Sequence, residues 1–82
     1  MTREELIQGI VQNAKYAHQA QKEPYTFCQL FYGYKDVDYI GDGFSKMRPG
    51  DVWNPELGEV KARGRAVSDI YQQIRAAEEE EK

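Results

Sequence analysis

The sequence predicts an α+β fold made of an N-terminal helix, a twisted two- to three-stranded antiparallel β-meander and a long C-terminal helix. Three observations lead there. Apolar residues recur at helical spacing near both ends of the chain, an aromatic-rich run with β-sheet character fills the middle, and glycine and proline crowd the stretch before the last helix. With 82 residues the chain has enough length for a single α+β domain, 1–82, built on one core.

The first helix opens at Thr2, which stands three residues before Glu5 in the pattern of a capping box. Leu6, Ile7, Ile10, Val11, Ala14 and Ala17 then step by three and four, so the helix is predicted to continue through "TREELIQGIVQNAKYAHQAQKE" until Pro24 stops it. From Tyr25 the run "YTFCQLFYGY" reads as a strand, with Phe27 and Phe31 on one face and Cys28, Leu30 and Tyr32 on the other. Lys35 and Asp36 are placed in a hairpin turn, and Val37 to Met47 return as the next strand. Gly41 and Gly43 interrupt that strand and predict a bulge, a kink or a division in two.

Pro49 and Gly50 turn the chain, and Asp51 is predicted to accept backbone N–H groups that fix the connection. Asn54 caps the last helix, Pro55 takes its first position, and Glu56 meets its positive end. Leu57, Val60, Gly64, Val67, Tyr71 and Ile74, widened by Ile70, form the predicted buried stripe, with Gly64 as the point of close approach to the sheet. Gly41, Gly43, Pro49, Asp51, Asn54, Pro55 and Gly58 are therefore structural positions. The acidic end, 78–82, is expected to be a solvated or frayed helix end.

Composition narrows the function classes. Apolar residues are 40% and charged residues 30% of the chain, a soluble, globular balance. The net charge of −3 argues against coating nucleic acid by bulk positive potential. No run is long and apolar enough to span a membrane, the charged start is no signal peptide, and the single cysteine suits a reducing compartment, so a cytoplasmic location is expected. Six tyrosines suit an interface as well as a core. Both faces of the meander carry bulky side chains while the helices can cover only one, which predicts a homodimer.

No catalytic constellation is readable, and the chain is expected to be a non-enzyme without metal or cofactor. His18 reads as a helix-surface residue and Cys28 as a small buried hydrophobe. "DVDYIGDG" starts like a calcium loop, but Ile40 and Met47 stand where oxygen ligands are needed. "GDGFSK" lacks the remaining glycine and the immediate helix of a phosphate loop. The basic residues carry more. Lys46 and Arg48 leave the second strand, while Lys61, Arg63 and Arg65 fall in the first turns of the last helix, so five cations converge on one end among Asp51, Glu56 and Glu59. Lys61 and Arg65 share a helix face and Arg63 points elsewhere. Either a salt-bridged surface or a small phosphate- or acid-binding patch fits. The candidate binding set is Lys46, Arg48, Trp53, Lys61 and Arg65, with Trp53 serving as a lid over the helix–sheet seam or as an anchor for a partner.

From Gly41 to Ile70 the chain resembles a small double-stranded-RNA-binding-domain-like family represented by actinobacterial dormancy-associated proteins and short bacteriophage proteins. The resemblance rests on Gly41 and Gly43, Pro49 and Asp51, Pro55, Glu56 and Gly58, then Arg65, Ala66, Ser68 and Asp69. It implies a twisted antiparallel sheet packed on a C-terminal helix, often dimeric, and it suggests ribosome or RNA binding. The chain departs from the dormancy proteins by beginning with a helix, and it lacks the block of lysines with which RNA-binding domains of this type grip RNA. Two function readings follow. One is a phage or mobile-element protein that binds a host protein stoichiometrically, for example as an inhibitor of a defence system such as CRISPR (an anti-CRISPR). The other is an RNA- or ribosome-binding module.

Overall fold

The structure, a computed structural model, describes residues 1–80. Its first helix begins as the sequence predicts: Glu5 N–H donates to Thr2 Oγ1 and Thr2 N–H to Glu5 Oε1, each at 3.2 Å. This helix, α1 (Arg3–Asn13), buries Leu6 and Ile10 and ends where Ala14 turns extended. It is shorter than predicted. Lys15–Lys22 is a strand, β1, running antiparallel to β2 (Tyr25–Tyr34), and Glu23 and Pro24 sit in the turn between them. "KYAHQAQK" is made of good helix formers, but propensity is a weak prior, and pairing along one edge of β2 outweighs it. His18 therefore lies on a strand and not on a helix.

The third strand, β3 (Val37–Lys46), completes a sheet of order β1-β2-β3. Lys35 and Asp36 both have positive φ, 50° and 63°, the geometry of a two-residue hairpin turn that matches strand twist. Gly41 and Gly43 do not break or split β3, which stays in register with β2 from Val37 to Lys46. They admit the last helix. A Cβ at Gly41 would lie 2.5 Å from Ala66 O and Ile70 Cγ1, and one at Gly43 would overlap the Ala62 carbonyl.

That helix, α2 (Pro55–Glu80), is capped as predicted, with Leu57 N–H donating to Asn54 Oδ1 at 3.1 Å. Its buried stripe is Ala62, Ala66, Val67, Ile70 and Ile74, whereas Leu57 and Val60 are 50% and 69% exposed. The small residues Ala62 and Ala66 face the sheet glycines, which rotates the predicted stripe. Gly64 faces open space and makes no close approach. Glu78–Glu80 continue the helix, and positions 81 and 82 of the predicted acidic end lie outside the described residues.

Both helices pack on the Cys28–Leu30 face of β2, so the core combines α1, β2 and α2. The outer edge of β3 is closed by α2 side chains. Arg65 donates to Phe44 O, Asp69 accepts from Asp42 N–H at 2.9 Å, and Gln73 donates to Ile40 O at 2.7 Å. Four residues of helix advance about 6 Å and two of strand about 6.6 Å, so every fourth side chain meets every second strand residue. The edge at β1 is guarded differently, by Lys15 and Lys22 at its ends and a register shift between Tyr16 and His18.

Candidate functional site

Where β3 ends, the chain makes a tight turn: Asp51 N–H donates to Arg48 O at 3.2 Å across Pro49 and Gly50, with Gly50 at φ 90° as a type II turn requires. This loop and the first turns of α2 form the walls of a groove of about 540 Å3. Lys46 and Arg48 come from the strand side, Trp53 and Asn54 from the connection, and Lys61 and Arg65 from successive turns of α2. All five residues of the predicted binding set thus line one cavity. Gly58 lines it too, and its carbonyl accepts from Ser45 Oγ at 3.0 Å, fixing helix to strand at the groove floor.

Arg63 leaves the cluster. It reaches across to donate to Val11 O at 3.0 Å and lies over the Tyr16 ring. Asp51 also differs from expectation. Its backbone N–H closes the turn, but its carboxylate has no hydrogen-bond partner among the described residues and lines the groove instead. Trp53 is half-buried in the groove wall. The groove is not a salt-bridged surface, since the only ion pair among the described residues joins Arg75 and Glu78 near the other end of α2.

The second surface is the open face of the sheet. Strand alternation and register place Tyr25, Phe27, Gln29 and Phe31 of β2 beside Lys46, Phe44, Asp42 and Ile40 of β3, with Lys22, Ala20, His18 and Lys15 of β1 on the other flank. Neither helix covers it. Phe44 and Ile40 are each 51% exposed, Tyr25 43% and Phe31 39%. Tyr25 stacks on Phe44 with centroids 5.5 Å apart, His18 lies 5.8 Å from Phe27, and Lys46 Nζ sits 5.6 Å over Tyr25. One end of this face carries Lys22 and Lys46, while Asp42 and Asp38 lie toward the other. The alternation of aromatics in β2 signals this face in the sequence. The contribution of β1 was hidden by its helical composition.

Two groups near the core have raised pKa values. Cys28 is fully buried, and burial pushes its thiol pKa up, so it is a neutral sulfhydryl. Burial, followed by the hydrogen bond that Tyr16 donates to Glu59 at 3.1 Å, raises the Tyr16 phenol. No group of His, Cys, Asp or Glu among the described residues could hold a metal ion, and no helix of the structure is long and apolar enough to cross a membrane.

These features define an α+β protein in which a three-stranded meander is covered on one side by two helices and open on the other. No protein-family model and no curated protein matches the chain. Three chains of solved structures do. One is the crystal structure of Rv2632c, similar with a TM-score of 0.70 and 18% identity, over 84% of this chain and 83% of that one. At that identity the likeness is one of fold.

Proposed function

We propose that the protein is a non-catalytic binding module that acts by stoichiometric contact with another protein, and that the open sheet face is the contact. One observation carries this reading: four large apolar side chains at least 39% exposed, Tyr25, Phe31, Ile40 and Phe44, share one flat face while both sheet edges are guarded. Three strands over about eight residues span on the order of 400 Å2, with the apolar side chains gathered inside a charged and polar border; large apolar patches on monomers are often functional. The matching partner surface is apolar at its centre, with carboxylates opposite Lys22 and Lys46 and cations opposite Asp38 and Asp42. A phage or mobile-element protein that occupies a host defence complex is the setting that the sequence resemblance supports.

The test is comparative capture from host lysate. Wild type and a groove variant (Arg48→Ala/Lys61→Ala) should retain the same partner in equal amounts, and Phe31→Asp/Phe44→Asp should lose it. Equal retention by the face variant would refute the reading. The homodimer expected from the sequence draws on the same face. Sedimentation in which wild type associates and the face variant stays monomeric assigns the face to a second copy.

RNA or ribosome binding is the second reading, and the four groove cations favour it together with the order helix, three strands, helix, which resembles that of a double-stranded-RNA-binding domain. It predicts salt-dependent retention of ribosomal RNA that disappears when Lys46, Arg48, Lys61 and Arg65 are all alanine.

A further inference from the structure

The geometry points to a nucleotide site in the groove at the start of α2, with phosphates held by Arg48 and Lys61 and the base set against the Trp53 indole. The cavity, about 540 Å3, falls within the ~300–1,000 Å3 of small-molecule sites. Lys46, Arg48, Lys61 and Arg65 line it against one carboxylate, Asp51, and none of the five takes part in a salt bridge among the described residues. Such a gathering is unexpected in a chain whose acidic residues outnumber its basic ones, 14 to 11. Like charges in one concavity repel, and an anion between them removes that cost. Helix α2 starts at the same place and adds its positive end.

Charge and shape select within the anions. Four cations against one carboxylate leave three positive charges, which suits a di- or triphosphate better than a lone carboxylate. Arg65 already donates to Phe44 O and Lys46 Nζ lies over the Tyr25 ring, so these two brace the walls while Arg48 and Lys61 do the gripping. The indole offers a flat apolar surface in the same wall, and nucleobases stack on such rings whatever their sequence context. A long nucleic-acid strand fits less well. The basic surface continues only to Lys22 on the open sheet face: farther along, β3 presents Asp42 and Asp38, and α2 presents Glu56 and Glu59. The groove borders the open sheet face at Lys46, whereas Arg48, Lys61 and Trp53 belong to the groove alone.

The sole tryptophan is a built-in reporter. ADP and GDP are titrated at low ionic strength, read by Trp53 fluorescence and by calorimetry, with pyrophosphate and adenosine as partial ligands. The expected result is saturable one-to-one binding of a nucleotide, weaker binding of pyrophosphate and the weakest of adenosine. Arg48→Ala/Lys61→Ala should lower affinity at least about tenfold, Lys61→Arg should retain it, and Asp51→Ala should raise it. All three positions are exposed, so melting temperatures should hold and report that the variants fold. Absence of saturable binding, binding indifferent to the double substitution, or tighter binding of hexaglutamate than of ADP would each overturn the proposal.

Discussion

Replacing Gly43 by alanine tests how α2 is seated. The added Cβ would lie 2.7 Å from both Ala62 C and Ala66 N, and nearer still to Ala62 O, where ordinary contact begins at 3.4 Å. All three are helix backbone, so no side chain can swing aside; the contact with Ala62 O sets the displacement, and α2 must withdraw by more than about 1 Å, a gap that forfeits at least about half of each dispersion contact it opens. The contacts at stake are those of Ala62, Ala66 and Ile70, all fully buried. Overpacking of this kind costs about 1–3 kcal/mol, and the loss of unfolded-state freedom that accompanies glycine-to-alanine returns at most about 1 kcal/mol. A net cost near 2 kcal/mol lowers Tm by about 8–16 °C in a domain this small. Gly64→Ala is the control. It lies mid-helix with nothing within 4 Å, and it should gain up to about 1 kcal/mol, or about 4–8 °C. Thermal melts followed by circular dichroism read both. A Gly43→Ala protein that melts at or above wild type would refute the close helix–sheet seating.

Asp51→Ala should leave stability within about 0.5 kcal/mol, as for other surface substitutions, because the turn is closed by the Asp51 backbone and not by its carboxylate; a Tm drop beyond a few degrees contradicts this. Asp69→Ala removes the acceptor of Asp42 N–H on the β3 edge and should cost about 1 kcal/mol, with concentration-dependent association appearing in sedimentation as the edge opens. Cys28 should resist a thiol reagent in the native protein and react only as the protein unfolds, so its rate should rise with denaturant; fast native labelling counts against its burial. The folded pKa values of Cys28 and Tyr16 are both raised from ordinary values of 9.0 and 10.0. Their contribution to stability is therefore full below pH 9 and is lost as pH rises through the raised folded values. Denaturant midpoints should hold between pH 7 and 8 and fall above pH 9, whereas a midpoint that rises there contradicts the sign.

Local signals proved legible in the sequence. The Thr2–Glu5 box, the Lys35–Asp36 turn and the Asn54–Pro55 helix start depend on neighbours a few residues away, and each stands where its pattern predicts. Long-range demands were hidden. β1 exists because β2 offers an edge, which no property of "KYAHQAQK" announces. Gly41 and Gly43 have two meanings in a strand, bend or close approach, and only the positions of Ala62 and Ala66 decide between them. The predicted stripe went astray through Leu57 and Val60 because hydrophobicity outranked the alanines that the tight seam requires. Cation spacing was more informative: Lys61 and Arg65 share the groove with Lys46 and Arg48, and Arg63 turns away as helix geometry dictates. The charge left unpaired there depended on where Asp51, Glu56 and Glu59 finally lie, which the sequence left open.

The central claim, that the open sheet face docks a protein, is tested most directly by hydroxyl-radical footprinting of the protein alone and with its captured partner. Docking through this face predicts loss of oxidation at Tyr25, Phe31 and Phe44, with Trp53 labelled as before. Protection of Trp53 with those three aromatics unchanged would contradict it.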